Sequence, residues 1–184
     1  MESRTAIERG LCQRCRLPPR LKARFPPCIH YEQYQAFEQF VTDRNLSVYI
    51  PGHVAEEMGE SPDAYAYQRD RLRAAQNAGW LNPGRIDFST PGVSEVVDKT
   101  RKRMLNLSAE DVTEDEIEKT DTILAGLAYQ YATGDATYVT VFVSDTKAEQ
   151  AIEDVLSAAD VGNVISVIEG RGFIADLVAD QFLS

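Results

Sequence analysis

The segment Tyr138-Val139-Thr140-Val141-Phe142-Val143 constrains the fold more than any other stretch of the chain. Every residue in it is β-branched or aromatic, the types that fit a pleated backbone. A strand with one face in water alternates apolar and polar side chains, and this one does not, so it reads as buried on both faces like a central parallel strand. Parallel neighbours cannot be joined by hairpins, so the remainder of the chain has to supply crossover helices.

The flanking sequence supplies them. Tyr34, Phe37, Phe40 and Val41 fall on one helical face of a helix predicted from Tyr31 to about Asn45. Leu46 to Ile50 reads as a short buried strand closed by Pro51-Gly52, and His53 to Gly59 as a short helix. Ser61-Pro62 opens a further helix through Gly79. Trp80 to Pro91 reads as a connection in which Ile86-Asp87-Phe88 forms a brief edge strand. Val93 to Leu107 has helical spacing, and Thr113 with Glu116 is a capping box before a helix reaching about Ala132. After the central strand, Thr146 to Ala159 is helical, Val164 to Val167 is a strand and Gly172 to Phe182 a final helix. Alternation of this kind predicts an α/β fold of three layers, helix, sheet and helix, around a central mostly parallel sheet. In such sheets ligands bind beyond the carboxyl ends of the strands, which places interest on Asp145.

At 184 residues the default is one compact domain, here residues 29–184. Residues 1–28 differ from it: they are basic, broken by Pro18, Pro19, Pro26 and Pro27, and hold all three cysteines. The net charge of −10 argues against tight sequence-independent binding to a nucleic-acid backbone, unless bound divalent cations reverse the local sign. Acidity together with arginine far in excess of the five lysines also fits a salt-rich or GC-rich origin. No apolar run has the length of a membrane span or the form of a secretory leader, so the expected location is the cytoplasm, away from membranes. Neither a P-loop nor a GxGxxG run occurs, which lowers the expectation of a nucleotide cofactor.

Three segments, taken in order, carry a resemblance. They are Ile50-Pro51-Gly52-His53-Val54-Ala55-Glu56-Glu57-Met58, Asp121-Thr122-Ile123-Leu124-Ala125-Gly126-Leu127-Ala128 and Val141-Phe142-Val143-Ser144-Asp145. Together they resemble the PIN nuclease family over roughly residues 29 to 170. The resemblance implies that Glu57, Asp121 and Asp145 are catalytic carboxylates, with Asp121 and Asp145 binding Mg²⁺ or Mn²⁺ and Glu57 binding it directly or through water. Glu118 and Glu149 are the candidate accessory ligands. Carboxylate oxygens are hard donors suited to these cations, and the metal would activate water for in-line attack on an RNA phosphodiester. The chain departs from the family at its first strand, which ends in an aspartate. Lys22-Ala23-Arg24-Phe25-Pro26-Pro27 occupies that place and nothing in it is acidic, so the first strand is missing or altered.

Other readings compete at each position. Asp145 after a strand is also a natural helix N-cap. Glu56 and Glu57 are adjacent, so at least one faces solvent, and Glu110 to Glu118 is the kind of acidic run that usually forms a solvated helix start. Cys12, Cys15, Cys28 and His30 have the ligand types of a zinc site, but the Cys-x-His pair is tight for tetrahedral coordination and weighs against Zn²⁺. Two functions of different class follow. One is a metal-dependent endoribonuclease, of the toxin type with an antitoxin partner or of the RNA-processing type. The other is a catalytically inactive PIN-like module binding RNA or a protein. The resemblance also implies a homodimer.

Overall fold

The computed structural model describes residues 30–60, 66–108, 117, 119–134, 136, 138–143 and 145–181. Within them the chain forms seven helices and four short strands. Helix α1 (Tyr31–Asp43) is headed by His30, whose backbone N–H donates to Gln33 Oε1 at 3.1 Å. The helix buries Tyr34, Ala36, Phe37 and Val41, as its periodicity predicts, and the chain leaves it through Asn45 in the left-handed region at φ 51°.

Strand β1 (Val48–Pro51) is followed by α2 (Gly52–Gly59), α3 (Ala66–Asn77) and β2 (Leu81–Gly84). β1 and β2 are parallel, with Val48 opposite Leu81 and Pro51 opposite Gly84. β2 corrects the sequence reading: the strand lies at Leu81–Gly84, and Ile86-Asp87-Phe88 is a loop. The start of α3 at Ser61-Pro62 and the Thr113–Glu116 capping box fall outside the described residues.

Helix α4 (Val93–Leu107) leads to α5 (Lys119–Thr133), β3 (Val139–Val143), α6 (Thr146–Ala158), β4 (Ile165–Glu169) and α7 (Gly170–Gln181). β4 runs two residues past the expected Val167, and α7 starts at Gly170 instead of Gly172. β3 and β4 are parallel, in register from Val139 opposite Ile165 to Val143 opposite Glu169. Among the described residues the strands therefore form two parallel pairs, and no strand precedes β1.

The β3–β4 pair is covered on both faces, which explains the unbroken apolar run of β3. Val141, Val143, Ile165 and Val167 pack with α4, α5 and α6, whereas Phe142 and Ile168 pack against the core built by α1 and α7. A chain of aromatic contacts carries that second core across to the β1–β2 pair. Phe142 lies 5.0 Å from Phe173 and 6.0 Å from Phe37, and Phe37 lies 6.1 Å from Trp80, just before β2. Helix α5 also reaches both pairs. Its Ala125 and Ala128 pack beside Val141, Tyr131 stacks on Tyr49 at 4.8 Å, and Leu127 crosses β2 at Gly84, where a side chain would stand 3.2 Å from it. The small residues of α5 permit this approach: a Cβ on Gly126 would meet both Ile86 and Val97 at 2.6 Å. No helix of the described residues is long and apolar enough to cross a membrane.

Candidate functional site

The short strands set which side chains share an end of the molecule. α5 packs on β3 and is joined to it by a short turn, so the two run in opposite directions. The first turn of α5 thus sits at the level of the carboxyl end of β3. A hydrogen bond brings the end of β1 to the same place, since a His53 ring nitrogen, in the first turn of α2, lies 3.2 Å from Thr120 Oγ1 of α5. Glu57 lies one turn beyond His53 on the same face of α2. Asp145 directly follows the end of β3, and Glu169 closes the paired strand β4 beside Val143.

The elements that reach this end carry four carboxylates, Glu57, Asp121, Asp145 and Glu169. Their environments differ sharply. Asp121 is 4% exposed, in the first turn of α5, where the dipole favours an anion. A carboxylate this buried is uncommon unless it is paired, hydrogen-bonded or used. Asp145 is exposed, and its Oδ1 accepts hydrogen bonds from the backbone N–H groups of Lys147 at 2.9 Å and Ala148 at 2.8 Å. The capping role anticipated for it is thus real, and it occupies one of the two carboxylate oxygens. Glu57 is exposed.

Glu169 is a position the sequence reading does not single out. Its Oε1 accepts from Arg171 N–H at 3.1 Å and its Oε2 from Gly172 N–H at 2.7 Å, so it caps α7 as Asp145 caps α6. The signal available in the sequence was a glutamate set directly before Gly-Arg-Gly at a strand-to-helix junction. Glu149, half-buried on α6, lies within the field of this group. Burial first, then Glu153 and Glu169, push its carboxyl above the ordinary range. Of the other sequence candidates, Glu118, Cys12, Cys15 and Cys28 lie outside the described residues, and His30 is exposed at the head of α1. Among the described residues no three His, Cys, Asp or Glu side chains converge as a ready metal-holding group.

Beside Asp121 opens a cleft of about 520 Å³ between the α4 face and the first turns of α2 and α5. Lys119 and Thr122, which bracket Asp121 on α5, line it together with His53, Arg101 and Phe88. Asp98 also lines it, so two cations stand against one carboxylate there, a small positive excess in a chain of net charge −10.

No curated protein and no solved structure matches the chain. A family model does, that of the halobacterial PIN domain, over residues 29–182. The matched span takes in every described element and all four carboxylates; the chain belongs to the PIN-domain family.

Proposed function

We propose that this chain is a metal-dependent endoribonuclease that hydrolyses RNA phosphodiesters at the end of the fold whose elements carry Glu57, Asp121 and Asp145. The observation that carries the reading is Asp121, a buried carboxylate in the first turn of α5, whose helix neighbours Lys119 and Thr122 line a cleft that also holds Arg101. The donor chemistry fits Mg²⁺ or Mn²⁺. These hard ions take one or two carboxylates, keep several waters and complete their shell with substrate phosphate, so a closed cage of three or more side chains is not required. Asp121 and the free oxygen of Asp145 would hold the ion, Glu57 would bind it directly or through water, and Glu149 and Glu118 would serve as accessory anions. Bound there, the ion supplies Lewis-acid stabilisation of the phosphate oxygens and a more acidic water. Asp121, fixed by its burial, orients that donor set, and Arg101 and Lys119 attract the phosphate backbone. In this reading the two parallel strand pairs belong to one central, mostly parallel sheet in a three-layer arrangement, and the protein acts in the cytoplasm. An antitoxin-type protein and a second copy of the chain are its expected partners.

Cleavage of RNA should appear with Mg²⁺ or Mn²⁺, stop on chelation and fall at least about a hundredfold in Asp121→Asn, the scale of losing a metal-held transition-state contact. Cleavage that survives the substitution refutes the proposal. The lack of three converging donors among the described residues favours a second reading, a catalytically silent module. RNA retention that is indifferent to chelators, without turnover, would select it.

A further inference from the structure

The cleft has one wall that the carboxylates do not explain. Phe88 is 54% exposed in the loop between β2 and α4, and it lines the cleft. Single exposed aromatics are ordinary on protein surfaces, but this one is held outward by a braced loop. Gln130 of α5 grips the backbone on both sides of Ile86: its Nε2 donates to Arg85 O at 3.1 Å and its Oε1 accepts from Asp87 N–H at 2.7 Å. The Asp87 carboxylate then folds the next turn, its Oδ1 accepting from Ser89 N–H at 2.9 Å and Ser89 Oγ at 2.6 Å. Gly92 ends the loop at φ 88°, against Tyr129, in a place where a Cβ would stand 2.5 Å from the phenol oxygen. These contacts hold the backbone on both sides of Phe88.

The same cleft is lined by two cations, Arg101 and Lys119, and by Asp98. Arg101, half-buried, pairs with the exposed Asp98 at 3.6 Å, a long contact of the kind worth little in water. Lys119 is exposed at the head of α5, one residue from Thr120 and its His53 contact. An exposed aromatic face beside two cations is complementary to one nucleotide whose base is unpaired. A base inside a duplex has both faces covered by its neighbours, whereas an unpaired base offers a face to an aromatic ring.

We infer that this cleft is a single-stranded RNA subsite in which Phe88 stacks one unpaired base while Arg101 and Lys119 hold the adjoining phosphates. The inference takes its ligand from the ribonuclease reading and deepens it: Phe88 selects unpaired RNA next to the carboxylate end.

The test is fluorescence anisotropy of a labelled unpaired RNA oligonucleotide with the full chain, in EDTA and again in Ca²⁺. Stacking contributions convert to a loss of roughly fivefold to a hundredfold in affinity for Phe88→Ala, with Phe88→Trp binding like the wild type. Arg101→Ala and Lys119→Ala should each lower the slope of log affinity against log salt by about 0.7. A duplex of the same sequence should bind more weakly than the single strand. Phe88→Ala binding like the wild type, a duplex binding as tightly, no RNA binding in either buffer, or an acidic peptide competing equally would each overturn the inference. Failure here is separable from failure of the nuclease reading. If Phe88→Ala keeps both affinity and cleavage while Asp121→Asn loses cleavage, the subsite is wrong and the enzyme stands. If RNA binds through Phe88 but is never cut, the subsite stands and the enzyme does not.

Discussion

Asp145 carries two physical roles that one pair of substitutions can separate. Its Oδ1 satisfies the backbone N–H groups of Lys147 and Ala148, and its charge faces the positive end of α6. Asp145→Ala removes both, costing about 1 kcal/mol for the cap and up to about 1 kcal/mol more for the charge at the helix end. Asp145→Asn keeps an acceptor of nearly equal capping strength and gives up the charge alone, a loss of about 0.3–1 kcal/mol. In a domain of this size 1 kcal/mol moves the melting temperature by about 2–4 °C, so in EDTA the alanine variant should melt about 3–8 °C lower and the asparagine variant about 1–4 °C lower. Molar salt should return the asparagine variant towards the wild type, because the helix-end interaction is screened and the hydrogen bonds are not. Isothermal titration with Mn²⁺ then reads the other role: both variants should lose affinity alike, since each lacks the carboxylate. An asparagine variant as unstable as the alanine one at every salt concentration would refute the capping argument. An asparagine variant that binds Mn²⁺ like the wild type would remove Asp145 from the ligand set.

Two further outcomes test the packing and electrostatics of the frame. Gly126→Ala inserts a methyl group 2.6 Å from both Ile86 and Val97, and overpacking of this kind should cost about 1–3 kcal/mol, read as a lower urea midpoint with unchanged slope. An unchanged midpoint would mean that α4 and α5 are not pressed together. Burial first, and the Glu38 charge second, push the Tyr34 phenol up to about 12 from an ordinary value of 10.0. A raised pKa gives stability that is present in full below pH 10 and is lost as pH climbs through about 12. Tyr34→Phe should therefore match the wild type near neutrality and outlast it in alkali, and parallel melting curves for the two across that window would contradict the burial of the phenol.

The sequence disclosed those elements whose stability is local or whose pattern follows from burial. β3 was legible because a strand covered on both faces needs no alternation, and α1 because Tyr34, Phe37 and Val41 repeat at helical spacing. β2 was not, since Leu-Asn-Pro-Gly contains three residues that strands disfavour. It forms because β1 supplies the ladder, Leu81 is buried and Gly84 admits Leu127. Ile86-Asp87-Phe88 read as a strand for its apolar ends, yet Gln130, far along the chain, takes its backbone groups and Asp87 takes the turn. The capping role of Asp145 was legible from its place between a strand and a helix, and the order of the acidic segments carried the resemblance. Their shared end was not, because it depends on α5 packing antiparallel to β3 and on the His53–Thr120 contact. Glu169 escaped notice because the strand it closes was ended two residues early.

The acidity of the chain and its proposed ligand are reconciled by range. Repulsion between a body of net charge −10 and an RNA strand acts over the Debye length, about 8 Å at physiological ionic strength and about 3 Å at 1 M salt. The family match is halobacterial. At molar salt only contacts made within a few ångströms survive, and these include the two cations of the cleft, the buried Asp121 beside them and the ring of Phe88. Counterion release also loses its force there, so phosphate contacts contribute less than they would in dilute buffer. Stacking does not depend on counterions in this way. An acidic surface therefore costs such a site little, and the braced aromatic, more than the cations, is the element expected to retain RNA as salt rises.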